Sequence, residues 1–112
     1  MERKYNTGYV YLLSDDNKQH FKIGVTRGNL ENRIKKLQTG NPMKILLIDY
    51  YETPYPFRLE KMLHDKFQYK NVLNEWYELT EQEVLDFKKI CIEKEEIIKH
   101  LKSNYFFNKN LK

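Results

Sequence analysis

Two apolar stretches decide the fold: Tyr-Val-Tyr-Leu-Leu at residues 9–13 and Phe-Lys-Ile-Gly-Val-Thr at residues 21–26. Both are rich in aromatic and β-branched residues, and the Ser-Asp-Asp-Asn segment between them is made of turn formers. This pattern predicts a β-hairpin. Because side chains alternate across a strand, Lys22 and Gly24 share one face of the second strand, and Tyr11 lies on one face of the first.

Helices and a further strand follow the hairpin. Asn29 and Gly40 are a suitable N-cap and C-cap for a helix over residues 30–39. The segment 45–51, Ile-Leu-Leu-Ile-Asp-Tyr-Tyr, predicts a third strand, and the apolar spacing after Pro56 predicts a second helix over residues 57–68. The element order indicates an α+β fold, with a small three-stranded antiparallel sheet flanked by helices.

The C-terminal third predicts one long helix. Thr80-Glu81-Gln82-Glu83 fits a capping box, and apolar residues continue at helical spacing to Leu101. Before the box, Glu75-Trp76-Tyr77 is a short extended piece, in which Trp76 either fills the core or stacks on a nucleic-acid base. After the helix, Tyr105-Phe106-Phe107 is an aromatic triplet in a polar tail.

Charge is concentrated in the segment that contains the second strand and the first helix. Seven Lys or Arg residues lie between residues 18 and 44, against one acidic residue, Glu31, although the whole chain has a net charge of only +4. Such a segment suits a polyanionic partner, or it is a solvated basic helix face. No apolar run approaches the roughly 20 residues that span a bilayer, and the N-terminus lacks a signal-peptide pattern. We therefore expect a cytoplasmic protein that is not secreted and does not contact membranes. Cys91, the single cysteine, lies in an apolar helical pattern, so we expect its thiol to be buried and inert.

Four features occur in an order that resembles the GIY-YIG nuclease superfamily. Tyr-Val-Tyr ending at Tyr11 matches the first motif, and Lys-Ile-Gly beginning at Lys22 matches the second, with lysine in place of the second tyrosine. Arg33 matches the arginine on the first helix, and Glu60 the metal-binding glutamate on a later helix. The motifs Leu-Glu-x-x-Leu-His and Glu-Trp-Tyr are similar to those of a branch common in phages and large DNA viruses.

The resemblance implies a small Mg²⁺-dependent endonuclease that hydrolyses phosphodiester bonds of DNA, with Mn²⁺ as an alternative ion. Residues 1–80 would form the nuclease domain, and residues 81–112 a C-terminal helix and tail packed on it. A viral origin would place the protein in the cytoplasm or nucleus of a host cell. The implied catalytic residues are Tyr11, Lys22, Arg33, Glu60 and His64, with Glu60 as the metal ligand. The residues expected to contact nucleic acid are Thr26, Arg27, Lys35 and Lys36.

Elementary chemistry supports these roles but leaves structural alternatives open. Glu60 suits Mg²⁺, and Arg33 has a fork of donors for phosphate oxygens; each is otherwise a surface residue of its helix. Tyr11 could orient or deprotonate the attacking water, and the structural alternative is an aromatic side chain that fills the core. Lys22 could act as a cation beside that phenol, protonate the leaving oxygen or contact a phosphate, and of these three roles we favour the first, which is electrostatic. His64 is a second base, a residue behind the metal, or a hydrogen-bonded histidine at the edge of the core.

Two other functions are compatible with the sequence. Lysine in the second motif favours a nucleic-acid-binding module that has the fold but little or no turnover. The long C-terminal helix and the aromatic triplet favour a protein-interaction domain, including a homodimer formed through that helix.

Overall fold

The computed structural model describes residues 7–103, and the fold in them is α+β as expected. The strands are β1 (Gly8–Ser14), β2 (Phe21–Thr26), β3 (Leu46–Thr53), β4 (Asn71–Leu73) and β5 (Trp76–Tyr77). The α-helices are α1 (Leu30–Thr39), α2 (Pro56–Lys66), α3 (Glu81–Leu85) and α4 (Phe87–Ser103), and a 3₁₀ turn covers Gln68–Lys70.

The sheet has five strands in the order β3-β1-β2-β5-β4, all antiparallel, so the prediction of three strands is wrong. The two additional strands, β4 and β5, show no alternation of buried and exposed side chains, since β4 is exposed throughout and β5 has only two residues. A tight turn joins them, with Asn74 at a φ of 52°. Asn71 Nδ2 braces this turn by donating to the carbonyls of Asn74 and Trp76 at 2.6 and 3.1 Å.

The hairpin register confirms the predicted faces. Tyr11 pairs with Gly24, and Leu13 pairs with Lys22. Val10 and Leu12 of β1 and Phe21 and Ile23 of β2 form the main core with α2 and α4. Tyr11 and Leu13 pack on the opposite side against α1. We call these two sides of the sheet the α2 face and the α1 face.

Helix α1 has the predicted bounds and caps, whereas the other helices differ in detail. Helix α2 runs from Pro56 to Lys66 rather than over 57–68, because the proline occupies its first turn and the chain tightens into the 3₁₀ turn afterwards. The capping box at Thr80 is present. The single long helix expected after it is interrupted at Asp86, where the chain turns and Phe87 enters the core with 2% exposure.

A buried carboxylate ties α4 to β3. Glu95 is 7% exposed and accepts hydrogen bonds from Tyr51 Oη at 2.7 Å and Thr53 Oγ1 at 2.6 Å. Burial and the neighbouring Glu95 carboxylate raise the pKa of Tyr51, so its hydroxyl remains a donor. Cys91 on the same helix is fully buried, and burial raises the pKa of its thiol to about 12, in agreement with an inert role.

Replacing Glu95 with alanine is expected to lower the free energy of unfolding by about 1–3 kcal/mol, because two hydroxyl groups lose their acceptor. Urea denaturation measures the change. Glu96→Ala is the matched control, since Glu96 is exposed and its ion pair with Lys99 is a surface one. The control should change stability by about 0.5 kcal/mol or less. Equal effects of the two substitutions would contradict a structural role for the buried carboxylate.

None of the described helices has the length and apolar character needed to cross a membrane. The aromatic triplet Tyr105-Phe106-Phe107 lies outside the described residues.

Candidate active site

Tyr11 lies on the α1 face with its phenol oxygen beside Arg33. The residue is 1% exposed, and its Oη accepts a hydrogen bond from Arg33 Nε at 3.2 Å. Gly24 on β2 makes room for the ring, because a Cβ at this glycine would lie 2.4 Å from Tyr11 Oη. Tyr11 is therefore both a core aromatic and a partner of the arginine. The core position expected as one alternative is confirmed, and the role towards the attacking water stays a prediction.

The N-terminal cap of α1 fixes the position of Arg33. Asn29 Oδ1 accepts a hydrogen bond from the Asn32 N–H at 2.9 Å, and the Arg33 N–H bonds to the Asn29 carbonyl at 3.1 Å. This first turn places the guanidinium over Tyr11, while Leu30 and Ile34 pack on the sheet.

Lys22 is bonded to a carboxylate from a distant part of the chain. Its Nζ lies 2.6 Å from Oε1 of Glu75, which sits in the turn between β4 and β5. The sequence favoured Lys22 as the cation beside the Tyr11 phenol, but Arg33 makes that contact. Lys22 instead holds Glu75 in place next to the other acidic residue of the site, Glu60.

Glu60, His64 and Glu75 form a cluster with the donor atoms of a metal site. Glu60 and His64 are one turn apart on α2, with Glu60 Oε2 at 3.5 Å from His64 Nε2. One donor atom from each of the three residues lies within 4.8 Å of the other two. Glu60 and His64 are half-buried, and Glu75 is exposed, so the cluster opens to solvent on the Glu75 side.

Tyr77 completes the surroundings of His64. Its Oη shares a short hydrogen bond with His64 Nδ1. Burial, followed by the charges of Glu75 and Glu60, raises the pKa of Tyr77. His64 Nε2, on the other side of the ring, is buried and has no hydrogen-bond partner among the described residues. Histidines that bind metals commonly use one ring nitrogen as the ligand and bond the other to a nearby oxygen. His64 has the second of these contacts at Nδ1, and Nε2 is the nitrogen that would serve as a ligand.

These residues fit a divalent cation. Two carboxylates are the ligands that Mg²⁺ and Mn²⁺ prefer, and a set that includes imidazole nitrogen also accepts later transition ions. The buried Nε2, which makes no hydrogen bond although Glu60 Oε2 lies 3.5 Å away, is the observation that favours a ligand role, because an unsatisfied buried nitrogen is otherwise costly. Glu60, His64 and Glu75 would hold the ion, with Tyr77 behind the imidazole.

The Tyr11–Arg33 pair and the acidic cluster lie within electrostatic reach of each other. The hydrogen bond with Tyr11 raises the pKa of Arg33, and the negative charges of Glu75 and Glu60 raise it further. The pKa of the Arg33 guanidinium is therefore raised both by Tyr11 and by the carboxylates of the acidic cluster. Contacts and charges connect all five catalytic residues expected from the sequence: Tyr11, Lys22, Arg33, Glu60 and His64.

The residues expected to contact nucleic acid are more dispersed. Thr26 Oγ1 accepts a hydrogen bond from the Gly28 N–H at 3.1 Å, which is a local turn contact. Arg27 and Lys35 line a groove of about 770 Å³, and the Arg27 guanidinium lies 5.0 Å from the centre of the Phe57 ring. Lys36 lines a separate groove. The contacts of these four residues with nucleic acid stay predictions.

Sequence reasoning missed Glu75 and Tyr77. The signal was the Glu-Trp-Tyr motif, which was recognised as an extended piece without roles for its acidic and phenolic side chains. Glu75 reaches Lys22 across 53 positions of sequence, a contact that no local pattern indicates.

A model of the T5orf172 domain matches residues 8–92, which is most of the chain. The chain belongs to the T5orf172 domain family. This is a phage-associated domain related to nuclease-like folds. The T5orf172 match extends from β1 into α4 and so includes every residue of the site described above. The curated proteins and the solved structures include no significant match.

Replacing Tyr77 with phenylalanine is expected to weaken binding of Mn²⁺ by about 10–100-fold, because His64 loses the oxygen that orients its ring. Calorimetric titration of the protein with MnCl₂ measures the affinity. Tyr69→Phe is the matched control, since Tyr69 is 78% exposed and lies outside the cluster. Unchanged Mn²⁺ affinity in Tyr77→Phe would show that the His64–Tyr77 hydrogen bond does not support a metal ligand.

Proposed function

We propose that this chain is a metal-dependent endonuclease that hydrolyses phosphodiester bonds of DNA, with Mg²⁺ as its ion and Mn²⁺ as an alternative. The observation that carries the proposal is that Arg33, bonded to Tyr11, lies within electrostatic reach of Glu60 and Glu75 of the cluster. The T5orf172 match and the resemblance of the motifs to the GIY-YIG superfamily support the same reaction class.

Hydrolysis of a phosphodiester requires a positioned water and stabilisation of the charge that develops on the phosphate oxygens. Arg33 uses Nε to hold Tyr11, which leaves its terminal nitrogens to bind phosphate oxygens. Tyr11 Oη, fixed by this bond, is the group that orients or deprotonates the attacking water. A bound divalent ion would polarise a phosphate oxygen and help to neutralise the developing charge.

Lys22 has a positioning role in this scheme. Its ammonium pairs with Glu75 at 2.6 Å and offsets part of the charge that the two carboxylates bring to one place. The lysine thus supports the site through Glu75, instead of supplying the second phenol that the superfamily has at this position.

Cleavage of supercoiled plasmid DNA tests the proposal. The wild-type protein is expected to nick plasmid in Mg²⁺ or Mn²⁺ and to stop when EDTA is added. Tyr11→Phe should lower the rate by about 100-fold or more, because it removes a single oxygen that handles a proton. Tyr55→Phe is the matched control: Tyr55 is half-buried against the main core and should keep the wild-type rate. Equal rates in all three proteins would contradict the proposal.

A binding module without turnover is the second candidate, and the Lys22–Glu75 ion pair favours it. A cation bonded to one of the three ligand residues competes with a metal ion for that carboxylate. Salt-dependent DNA binding with no cleavage in Mg²⁺ or Mn²⁺ would support this candidate over the first.

A homodimer through the C-terminal helix also remains a proposal. Ile97 and Leu101, one turn apart on α4, are 44% and 39% exposed and offer an apolar strip for a second copy. Light scattering of the wild-type chain against a variant with Ile97→Glu and Leu101→Glu tests this strip: a dimer that becomes monomeric in the variant supports it, and a monomeric wild-type chain or an unchanged dimer in the variant contradicts it.

A further inference from the structure

Trp76 lies at the surface of the α1 face, next to Lys22. The two residues are cross-strand partners on β5 and β2, and the indole is only half-buried. Trp76 borders two grooves of about 350 and 300 Å³, and Asn41 and Ile45 also line both. The tryptophan is therefore a shared wall of two adjoining grooves rather than a part of either core cluster.

The rims of these grooves carry positive charge. Lys36 borders one groove and Lys44 the other. Neither lysine forms an ion pair with any acidic side chain in residues 7–103. Asp15 is the one carboxylate among the residues lining the two grooves, and its oxygens bond to the Gln19 and His20 N–H groups and to the His20 ring. An aromatic surface with lysines beside it is the combination that binds the bases and phosphates of a single strand.

We propose that the Trp76 grooves bind an unpaired nucleotide of single-stranded DNA, with its base stacked on the indole and its phosphates near Lys36 and Lys44. In a duplex both faces of each base are covered by neighbouring bases, so a base can stack on Trp76 only where the strand is unpaired or the base is flipped out. The inference rests on the proposed function and narrows its substrate to DNA with a single-stranded portion.

The position of the grooves connects them with the reaction site. Lys22 lines the groove that contains Lys36, and the same Lys22 ammonium bonds to Glu75 of the acidic cluster. Tyr11, Lys22 and Trp76 all belong to the α1 face. A strand that stacks a base on Trp76 is thereby directed past Lys22 towards Arg33 and Tyr11.

Fluorescence gives a direct test, because Trp76 is the only tryptophan in the chain. The full-length protein is titrated in EDTA, where no cleavage occurs, with a single-stranded oligonucleotide or with a blunt duplex of the same sequence. Stacking of a base on the indole should quench the tryptophan emission with the single strand. The duplex should quench much less and bind about tenfold more weakly.

Anisotropy of a fluorescein-labelled single strand then compares variants. Trp76→Ala should weaken binding by about tenfold or more, whereas Trp76→Phe, which retains a ring, should keep most of the affinity. Lys36→Ala should weaken binding. It should also reduce the slope of log affinity against log salt concentration by about one. Lys89→Ala is the matched control, since Lys89 is exposed on α4 at the opposite face of the sheet and should have little effect.

Equal quenching by single strand and duplex would overturn the inference, as would unchanged affinity in a folded Trp76→Ala protein. Cleavage of plasmid by a Trp76→Ala variant with wild-type affinity for single strands would remove the inference and leave the proposed nuclease intact. Quenching and binding in EDTA without cleavage in any divalent ion would retain the inference and remove the nuclease.

Discussion

The Glu60→Gln variant is expected to cleave plasmid in Mg²⁺ at least about 100-fold more slowly than the wild-type protein. Its fold and its DNA affinity in EDTA should be unchanged. Glutamine keeps the size of the side chain but removes the negative charge that a divalent ion requires. Glu60 is central because it lies 3.5 Å from His64 and contributes one of the three donor atoms of the cluster. Removal of one electrostatic contact to a transition state commonly costs a rate factor of this size.

Glu93→Gln is the matched control for this experiment. Glu93 is an exposed glutamate on α4 and is not part of the acidic cluster, so the same chemical change there should leave the rate unaltered. Calorimetric titration of Glu60→Gln with Mn²⁺ shows whether the variant fails to bind the ion or binds it and fails in catalysis. Undiminished cleavage by Glu60→Gln would mean that Glu60 is not a metal ligand.

The Gly24→Ala variant is expected to lower the free energy of unfolding by about 3 kcal/mol, at the upper end of what overpacking costs. A Cβ at position 24 would lie 2.4–2.6 Å from three atoms of the Tyr11 phenol, and Tyr11 is packed against α1 with 1% exposure. The ring must then move away from Arg33, so cleavage should fall together with stability. Urea denaturation measures the first effect and the plasmid assay the second.

Two comparisons show whether the clash with Tyr11 is the cause. Gly40→Ala is the matched control, because a Cβ at this helix cap would meet nothing within 4 Å. It should change stability by about 0.5 kcal/mol or less. Tyr11→Leu removes the phenol, so the double variant with Gly24→Ala should be more stable than the sum of the single effects predicts, by at least about 1 kcal/mol. Strict additivity would contradict a steric clash between these two residues.

The parts of the site that could be predicted from sequence depend on local patterns. Alternation grouped Tyr11 with Leu13 along β1 and Lys22 with Gly24 along β2, and the Asn29 cap set the start of the helix that carries Arg33. Glu60 and His64 share one flank of α2 because they are four residues apart. In each case the geometry follows from the period of a single element, so the printed sequence is sufficient.

The parts that could not be predicted depend on a short hairpin and on distant contacts. Strands β4 and β5 together have five residues and are too short and too exposed to show an alternation of apolar and polar side chains, so only three strands were expected. The position of Glu75 depends on a turn with Asn74 at positive φ and on an ion pair with Lys22. For the same reason Lys22 was given a partner on the neighbouring strand, whereas its ammonium is bonded to Glu75 of the β4–β5 turn.

A crystal structure of the protein grown with MnCl₂, with anomalous diffraction recorded, tests the central claim most directly. The arrangement of donor atoms predicts an anomalous peak within bonding distance of Glu60, His64 and Glu75, with Tyr77 still bonded to the imidazole and Arg33 still bonded to Tyr11. A Mn²⁺ ion bound elsewhere, or His64 and Glu60 bonded to each other with no ion at saturating MnCl₂, would contradict the claim that these residues form a metal-dependent active site.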